Sequence, residues 1–365
     1  MDRQQVLAYR IAAQGLHRET ADPHELAVFD LGVQDNQRGG PAIALAARLS
    51  TPAVADDERF ALLWSHRGAP HLHRRGDLKK LVAGLVPLSE VDAEARMGWQ
   101  RTQVARAGVP AAEALTVAAR ALRKAVGKTM TKGAASTAVT KLVPDGLSVW
   151  CRGCGVTHIF EQLMRLAAPL AGIALVPDAT PATLTPLKNR GPVPTKLDVP
   201  AATAVMAAYL RLHGPATHGD AGGFSGTTAT VAKEMWPSEL VEVQLDKKKR
   251  YLPADSLPLL ENPPEPDVVR LLPPSDPLLQ SRDRDLLVPE KAHQKELWKI
   301  LGNPGAVLAD GEIAGVWRPK TSGKRLTVTV STFWPLAPDV RARVAQEAEV
   351  VAAARGLTLH TVAWS

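Results

Sequence analysis

The sequence predicts an α+β chain of three tandem helix–helix–hairpin modules packed with a C-terminal β-rich, barrel-like domain. Helical periodicity followed by a two-strand hairpin recurs along the first three-quarters of the 365 residues. A proline-rich divider separates the second and third copies, and after Asn262-Pro263-Pro264 the pattern turns to alternating strands.

The first module, 1–100, opens with the helix VLAYRIAAQGLH and closes on FALLWSHRGAPHLHRR as its wing. The second, 101–176, reads as the helix AAEALTVAARALRKAV, then TKGAASTAVTKLV capped by Thr131, then strands flanking CRGCG. Arg120, Arg123, Lys124, Lys128, Lys132 and Lys141 make its helices basic. Six prolines in 177–200 predict a stiff, extended linker. The third module, 201–262, has the helix AATAVMAAYLRLHG stopping at Gly214, then a short helix and turn. A second helix follows, capped at Thr227 or Thr228, and then two strands around the charged tip Lys247, Lys248, Lys249 and Arg250. That order is a winged helix, whose second helix can enter the major groove while the basic wing touches phosphate. In 263–365, GAVLADGEIAGVWRP and KRLTVTVSTFW predict strands turning at Asp310-Gly311, and a closing helix ends at Gly356.

Forty-four Lys plus Arg against 37 Asp plus Glu give a net charge of +7, which suits a polyanionic partner without proving one. The opening MDRQQVLAYR lacks the apolar core of a signal peptide. The most apolar stretch, LMRLAAPLAGIALVP, is interrupted by Arg165 and Pro169 and reads as a buried helix, so a soluble, cytoplasmic, nucleoid-associated protein with no membrane contact is expected. No heptad run suggests a coiled-coil dimer, and a monomer is expected. Nucleotide-binding glycine loops, H-E-x-x-H and G-x-S-x-G are absent from the sequence. Cys151, Cys154 and His158 supply three of the four ligands of a structural zinc, but a second pair is missing nearby. The preferred reading is a hairpin with a tight Arg152-Gly153 turn, with no metal and no cofactor.

Two segments carry chemistry. In LGVQDNQRGGPAIALAARL, Gln34 and Asn36 stand one residue apart before a helix, where an amide pair can hold a water. Asp35 between them is a base candidate, and Asp35 and Asn36 could instead cap that helix. In LLWSHRGAPHLHRRGDL, His66, Arg67, His71, His73, Arg74 and Arg75 crowd a hairpin whose apolar Ala69, Pro70 and Leu72 could enter a duplex groove. A third, LLPPSDPLLQSRDR, offers Asp276, Arg282, Asp283 and Arg284, which read as a turn held by ion pairs.

With YLRLHGPAT, GGFSG and LADGEIAGVW, these segments make the chain similar to the AlkZ-like family of winged-helix DNA glycosylases over nearly its whole length. The family pattern is Gln-x-Gln or Gln-x-Asp; here Gln34 matches and Asn36 takes the second place. The resemblance implies a monofunctional DNA glycosylase that hydrolyses the N-glycosidic bond of N7-alkylated purines in double-stranded damaged DNA, crosslinks included. Gln34 would position water, with Asn36 or Asp35 as second group. His71 and Leu72 would probe the lesion, with His73 beside them, and Arg67 with Arg74 or Arg75 would bind phosphate; the Lys247–Arg250 tip is a further phosphate contact by its place on the wing. The competing reading is a catalytically silent winged-helix DNA-binding protein, a regulator or lesion sensor.

Overall fold

A computed structural model describes residues 1–52, 57–299 and 301–365. In chain order the strands are β1 (Val33–Gln34), β2 (Phe60–Trp64), β3 (Pro70–Arg74), β4 (Met130–Thr131), β5 (Ser148–Cys151), β6 (Val156–Ile159), β7 (Ile173–Leu175) and β8 (Thr183–Pro186). They continue with β9 (Leu240–Leu245), β10 (Lys248–Pro253), β11 (Val269–Leu272), β12 (Gly305–Ala309), β13 (Glu312–Ser322), β14 (Arg325–Thr332) and β15 (Thr358–Trp364). The contacts group into two units that do not follow chain order. One joins Met1–Asp57, Ala208–Asp220 and Ser238–Ser365; the other joins Glu58–Ala207 and Ala221–Pro237.

The first unit is organised by a sheet in the order β11-β12-β13-β14-β15, antiparallel except for the parallel pair β14/β15. Because successive side chains of a strand face opposite ways, β12 supplies both faces with core. Ala306 and Leu308 pack with Leu7 and Ile11 of the N-terminal helix Arg3–Ala13, whereas Val307 and Ala309 join the opposite cluster. That cluster takes Val340, Val344, Ala348, Val351 and Ala352 from the helix Pro338–Ala354, the 3.6-residue stripe of one helix face. Gly305 lets β13 approach, since a Cβ there would lie 2.2 Å from Trp317 Nε1, which donates to Leu272 O at 2.8 Å. The sequence alone predicts a barrel-like β-rich domain that ends on this helix. Instead Gly356 turns the chain, at φ 64°, into β15. The sheet is thereby extended in parallel, and it is open, with β11 and β15 at its edges among the described residues.

The second unit surrounds an alanine- and leucine-rich helix, Ala111–Ala125, which buries Ala111, Ala114, Leu115, Ala118 and Leu122 and turns Arg120 and Lys124 outward. Thr131 caps the next helix, Lys132–Thr140, accepting from Ala134 N as its position implied, and β5 and β6 flank CRGCG. The stretch expected to be a linker is built in. β8 pairs with β7 and β4, Val193 and Leu197 pack on the core, and Asp198 accepts from Ala201 N at the start of Val199–His213. Its prolines fix extended backbone, which a short strand of this kind accommodates. No helix among the described residues is long and apolar enough to cross a membrane.

The most deeply buried ion pair among the described residues lies in the first unit, where Arg48 and Asp276, both with side chains fully buried, meet in a two-pronged pair at 2.8 and 2.9 Å. Removing one partner strands the other charge in the interior. Asp276→Ala should therefore lower unfolding stability by about 3–5 kcal/mol in a denaturant titration; a loss below about 1 kcal/mol would mean that water reaches Arg48.

Candidate active site

The amide pair sits at the end of β1, where Val33 and Gln34 are buried and the chain emerges to an exposed Asn36. Gln34 Nε2 donates to Asn36 Oδ1 at 2.8 Å, and Asn36 Nδ2 donates to Ser275 Oγ at 2.6 Å. This chain commits both atoms of the Asn36 carboxamide and one N–H of Gln34. It leaves Gln34 Oε1 buried and without a hydrogen-bond partner among the described residues. Such an oxygen is a strong acceptor held in place, suited to a water proton or to a developing positive charge. Asp35 lies between the two, half-buried.

Asn36 is held by Gln34 and Ser275 and not by a capping bond. The following helix, Gly40–Ala46, begins at Gly39 in the left-handed region, φ 76°, with no side-chain cap. The anchor is Ser275, which the sequence reading did not single out. Its own φ is 64°, unusual for a residue with a side chain, and the next residue is the buried Asp276. Asp276 accepts from Leu278 N as well as from Arg48, and Arg48 donates to Gln14 O and Ala44 O. The PPSDP turn is thus fixed from inside. Further along the same segment, Asp283 is paired with buried Arg10 at 2.7 Å and with Arg250 at 3.0 Å, and it accepts from Ser281. The expectation of a turn held by ion pairs agrees with this geometry.

In the second unit, β2 and β3 form the expected hairpin, but its histidines point inward. The Ser65–Ala69 turn uses left-handed backbone at Arg67 and Gly68. Strand alternation then sets His71 and His73 on one face with His66 from the turn, at 1%, 2% and 2% exposure. Ser65 Oγ lies between His71 Nδ1 at 2.8 Å and His73 Nε2 at 2.9 Å, and Phe224 covers His66 at 4.9 Å between centroids. Arg67 places its guanidinium 4.8 Å from the Phe224 ring and donates to Phe224 O. Leu72 packs half-buried against the helical core. Arg74 is half-buried and reaches Asp77 at 3.4 Å, while Arg75 is exposed and donates to Glu58 O at 2.8 Å. As folded, His71 and His73 shape the hairpin from within and do not present a surface to a duplex.

The second basic hairpin is also rearranged. Asp246 and Lys247, at φ 50° and 63°, form the two-residue turn, so Lys248, Lys249 and Arg250 belong to β10 and are not its tip. Lys247, Lys248 and Lys249 are exposed, the last with Glu242 at 3.0 Å. Arg250 turns inward to Asp283 and to Asp220 at 3.5 Å, and is a structural cation.

Burial pushes the His66 and His71 imidazoles well below their usual range, with neighbouring histidine and arginine charges adding to it. It holds His73 down to about 3, and His213 likewise, the latter with help from Arg10. The unfolded chain takes up protons on these groups below about pH 6.5 and the folded chain does not. Their contribution to stability is therefore complete above that pH and is lost as pH falls toward 3, at up to about 1.4 kcal/mol per pH unit for each histidine. The melting temperature should drop between pH 7 and pH 5, above the range where carboxylates titrate, and less steeply in His73→Gln. A flat profile in the wild type would contradict the buried neutral cluster.

A family model described as DNA glycosylase AlkZ-like matches residues 28–354. Among solved structures, Streptomyces sahachiroi DNA glycosylase AlkZ superposes with a TM-score of 0.76 at 20% identity, covering 100% of each chain. At that identity the likeness is one of fold. No curated protein sequence matches the chain. The family match spans the amide pair, the histidine hairpin and the PPSDP turn together, and the chain belongs to the AlkZ-like DNA glycosylase family.

Proposed function

We propose that this chain, as a monomer without a cofactor, hydrolyses the N-glycosidic bond of N7-alkylated purines in double-stranded DNA, including purines tied into crosslinks between strands. The observation that carries the reading is the buried, unpartnered Gln34 Oε1, aimed by the hydrogen bond from Gln34 Nε2 to Asn36. A carboxamide cannot take a proton at neutral pH, so it serves only a substrate whose leaving group needs no help. Alkylation at N7 makes the base cationic. The bond from sugar C1′ to the base nitrogen breaks with its electron pair going to the base, which leaves neutral. Water oxygen bonds to C1′ and its spare proton passes to solvent. Gln34 Oε1 orients that water and stabilises the positive charge developing on the sugar. With water as the nucleophile, the strand stays intact.

Asn36 has a different role from the second amide or carboxylate of the family pattern, because its oxygen is occupied by Gln34 and its nitrogen by Ser275. It orients the Gln34 carbonyl. Asp35 remains the alternative second group, as a base toward the same water. The three helix–hairpin segments serve as winged helices, with Arg75, Lys247, Lys248 and Lys249 as phosphate contacts and Arg67 and Arg74 supporting their hairpin. His71, Leu72 and His73 set the shape of that hairpin, and a lesion meets them only if it opens.

The test is single-turnover release of base from a duplex carrying one N7-methylguanine, with binding measured in parallel. Gln34→Ala should slow release by about 10²- to 10³-fold with binding intact. Asn36→Ala should slow it by about 10- to 100-fold, the effect of losing alignment. Wild type that binds the duplex but releases no alkylated base would overturn the reading in favour of a silent DNA-binding protein.

A further inference from the structure

The cysteine hairpin has no part in that chemistry, yet it holds a defined set of donors. One ligand atom each from Cys151, Cys154 and His158 lies within 4.8 Å of the other two. A tetrahedral zinc with bonds of about 2.3 Å to sulfur holds its donors roughly 3.8 Å apart, so only a small contraction separates this set from a coordination shell. The backbone is arranged for it. In the turn between β5 and β6, Cys154 N and Gly155 N both donate to Cys151 O, at 3.2 and 2.9 Å, and Gly155 takes left-handed backbone at φ 65°. That brings Cys154 back over Cys151. His158 stands on β6 opposite Val149, and its Nδ1 is 2.9 Å from Ile159 O. A proton on Nδ1 satisfies that carbonyl, which fixes the tautomer and leaves the Nε2 lone pair for a ligand. This is how a metal-binding histidine is usually oriented by its second hydrogen bond. The strand beneath is pinned in turn, Ile159 N donating to Thr140 Oγ1 at 2.8 Å.

We propose that the tip of the β5–β6 hairpin is a binding site for a borderline-soft divalent cation of the zinc type, held by Cys151 Sγ, Cys154 Sγ and His158 Nε2. Two thiolates and an imidazole select against magnesium and calcium, which require oxygen donors. Cys154 is exposed, so the ion has an entry path and the fourth position is open to water or another small donor. The sequence reading discounted zinc because a second pair of ligands was missing nearby. Three donors with an open fourth position do not need that pair. The bound ion would brace a hairpin that carries an exposed Trp150, 64% accessible, beside the half-exposed Val156.

The experiment uses the reduced, metal-free full-length protein titrated with Co²⁺. A single equivalent should produce thiolate-to-cobalt charge-transfer absorption and the intense visible bands of tetrahedral cobalt, both erased by added Zn²⁺. Cys151→Ser and Cys154→Ser should lose the charge-transfer absorption, and His158→Ala should bind at least about 10-fold more weakly, with far-ultraviolet circular dichroism confirming that each remains folded. Wild type without thiolate-to-cobalt bands, or bands that persist unchanged in Cys151→Ser, would overturn the proposal. Competition for Zn²⁺ between wild type and a chromophoric chelator gives a second reading independent of the variants: no withdrawal of zinc from the chelator would overturn it too. None of these readouts depends on base release, so the glycosylase reading and the metal site can fail separately.

Discussion

The buried Arg48–Asp276 pair is the constraint from which the candidate active site of the first unit is built. Two charges without solvent exposure gain little net stability, since desolvation offsets most of their attraction. What they fix is geometry. Asp276 is held by Arg48 and by Leu278 N, so the residue before it, Ser275, has no freedom to relax its left-handed backbone. Ser275 Oγ then receives Asn36, and Asn36 receives Gln34. Removing the interior pair would loosen a hydrogen-bond chain whose Asn36–Ser275 link joins residues 239 apart in sequence. Arg10 does the same at the other end of the segment, through Asp283 and Ser281. A stretch of sequence that looks like surface charge is in fact clamped at both ends by arginines from the N-terminal region.

Local chemistry was well represented in the sequence. Thr131 and Thr228 are hydroxyl caps where periodic helices begin, and each accepts the backbone N–H three residues on. Asp246 and Lys247 show where such reading fails. A run of four cations suggests a solvated tip, but a two-residue turn needs left-handed backbone. Asp246 and Lys247 provide it, which displaces Arg250 down the strand to where Asp283 and Asp220 await. The β15 strand was missed for a related reason: TLHTVAW alternates weakly, and its partner is supplied only by a helix crossover. Ser275 could not have been chosen from its neighbours, because its partner lies in another part of the chain.

The PHLHR strand separates what periodicity decides from what it does not. Alternation places His71 and His73 on one face and Leu72 on the other, and this is how they stand. It does not say which face is inside. Hydropathy favours burying Leu72, yet both histidines are more deeply buried than it is. Ser65 reconciles this by offering one hydroxyl between two rings, while His66 meets His71 edge-on at 5.7 Å between centroids and His71 lies tilted against His73 at 5.9 Å, distances near those of aromatic pairs. Histidine serves here as a polarisable core residue whose neutrality is enforced by burial.

On the proposed reading, the burial of one acceptor oxygen, Gln34 Oε1, is what gives the amide pair its chemical selectivity. An acceptor oxygen buried without a partner costs about 1–3 kcal/mol, and the fold holds Gln34 Oε1 in that state instead of letting it turn to another donor. A carboxylate in its place would attract protons and cations of every kind. The neutral dipole is weaker and discriminates better, since it favours positive charge appearing at one point without assisting a neutral base to leave. On this argument the shorter Asn36 is no defect. Once its oxygen is assigned to aiming Gln34, what matters is that Asn36 be held fixed, and the hydrogen bond to Ser275, fixed in turn by Asp276 and Arg48, does that.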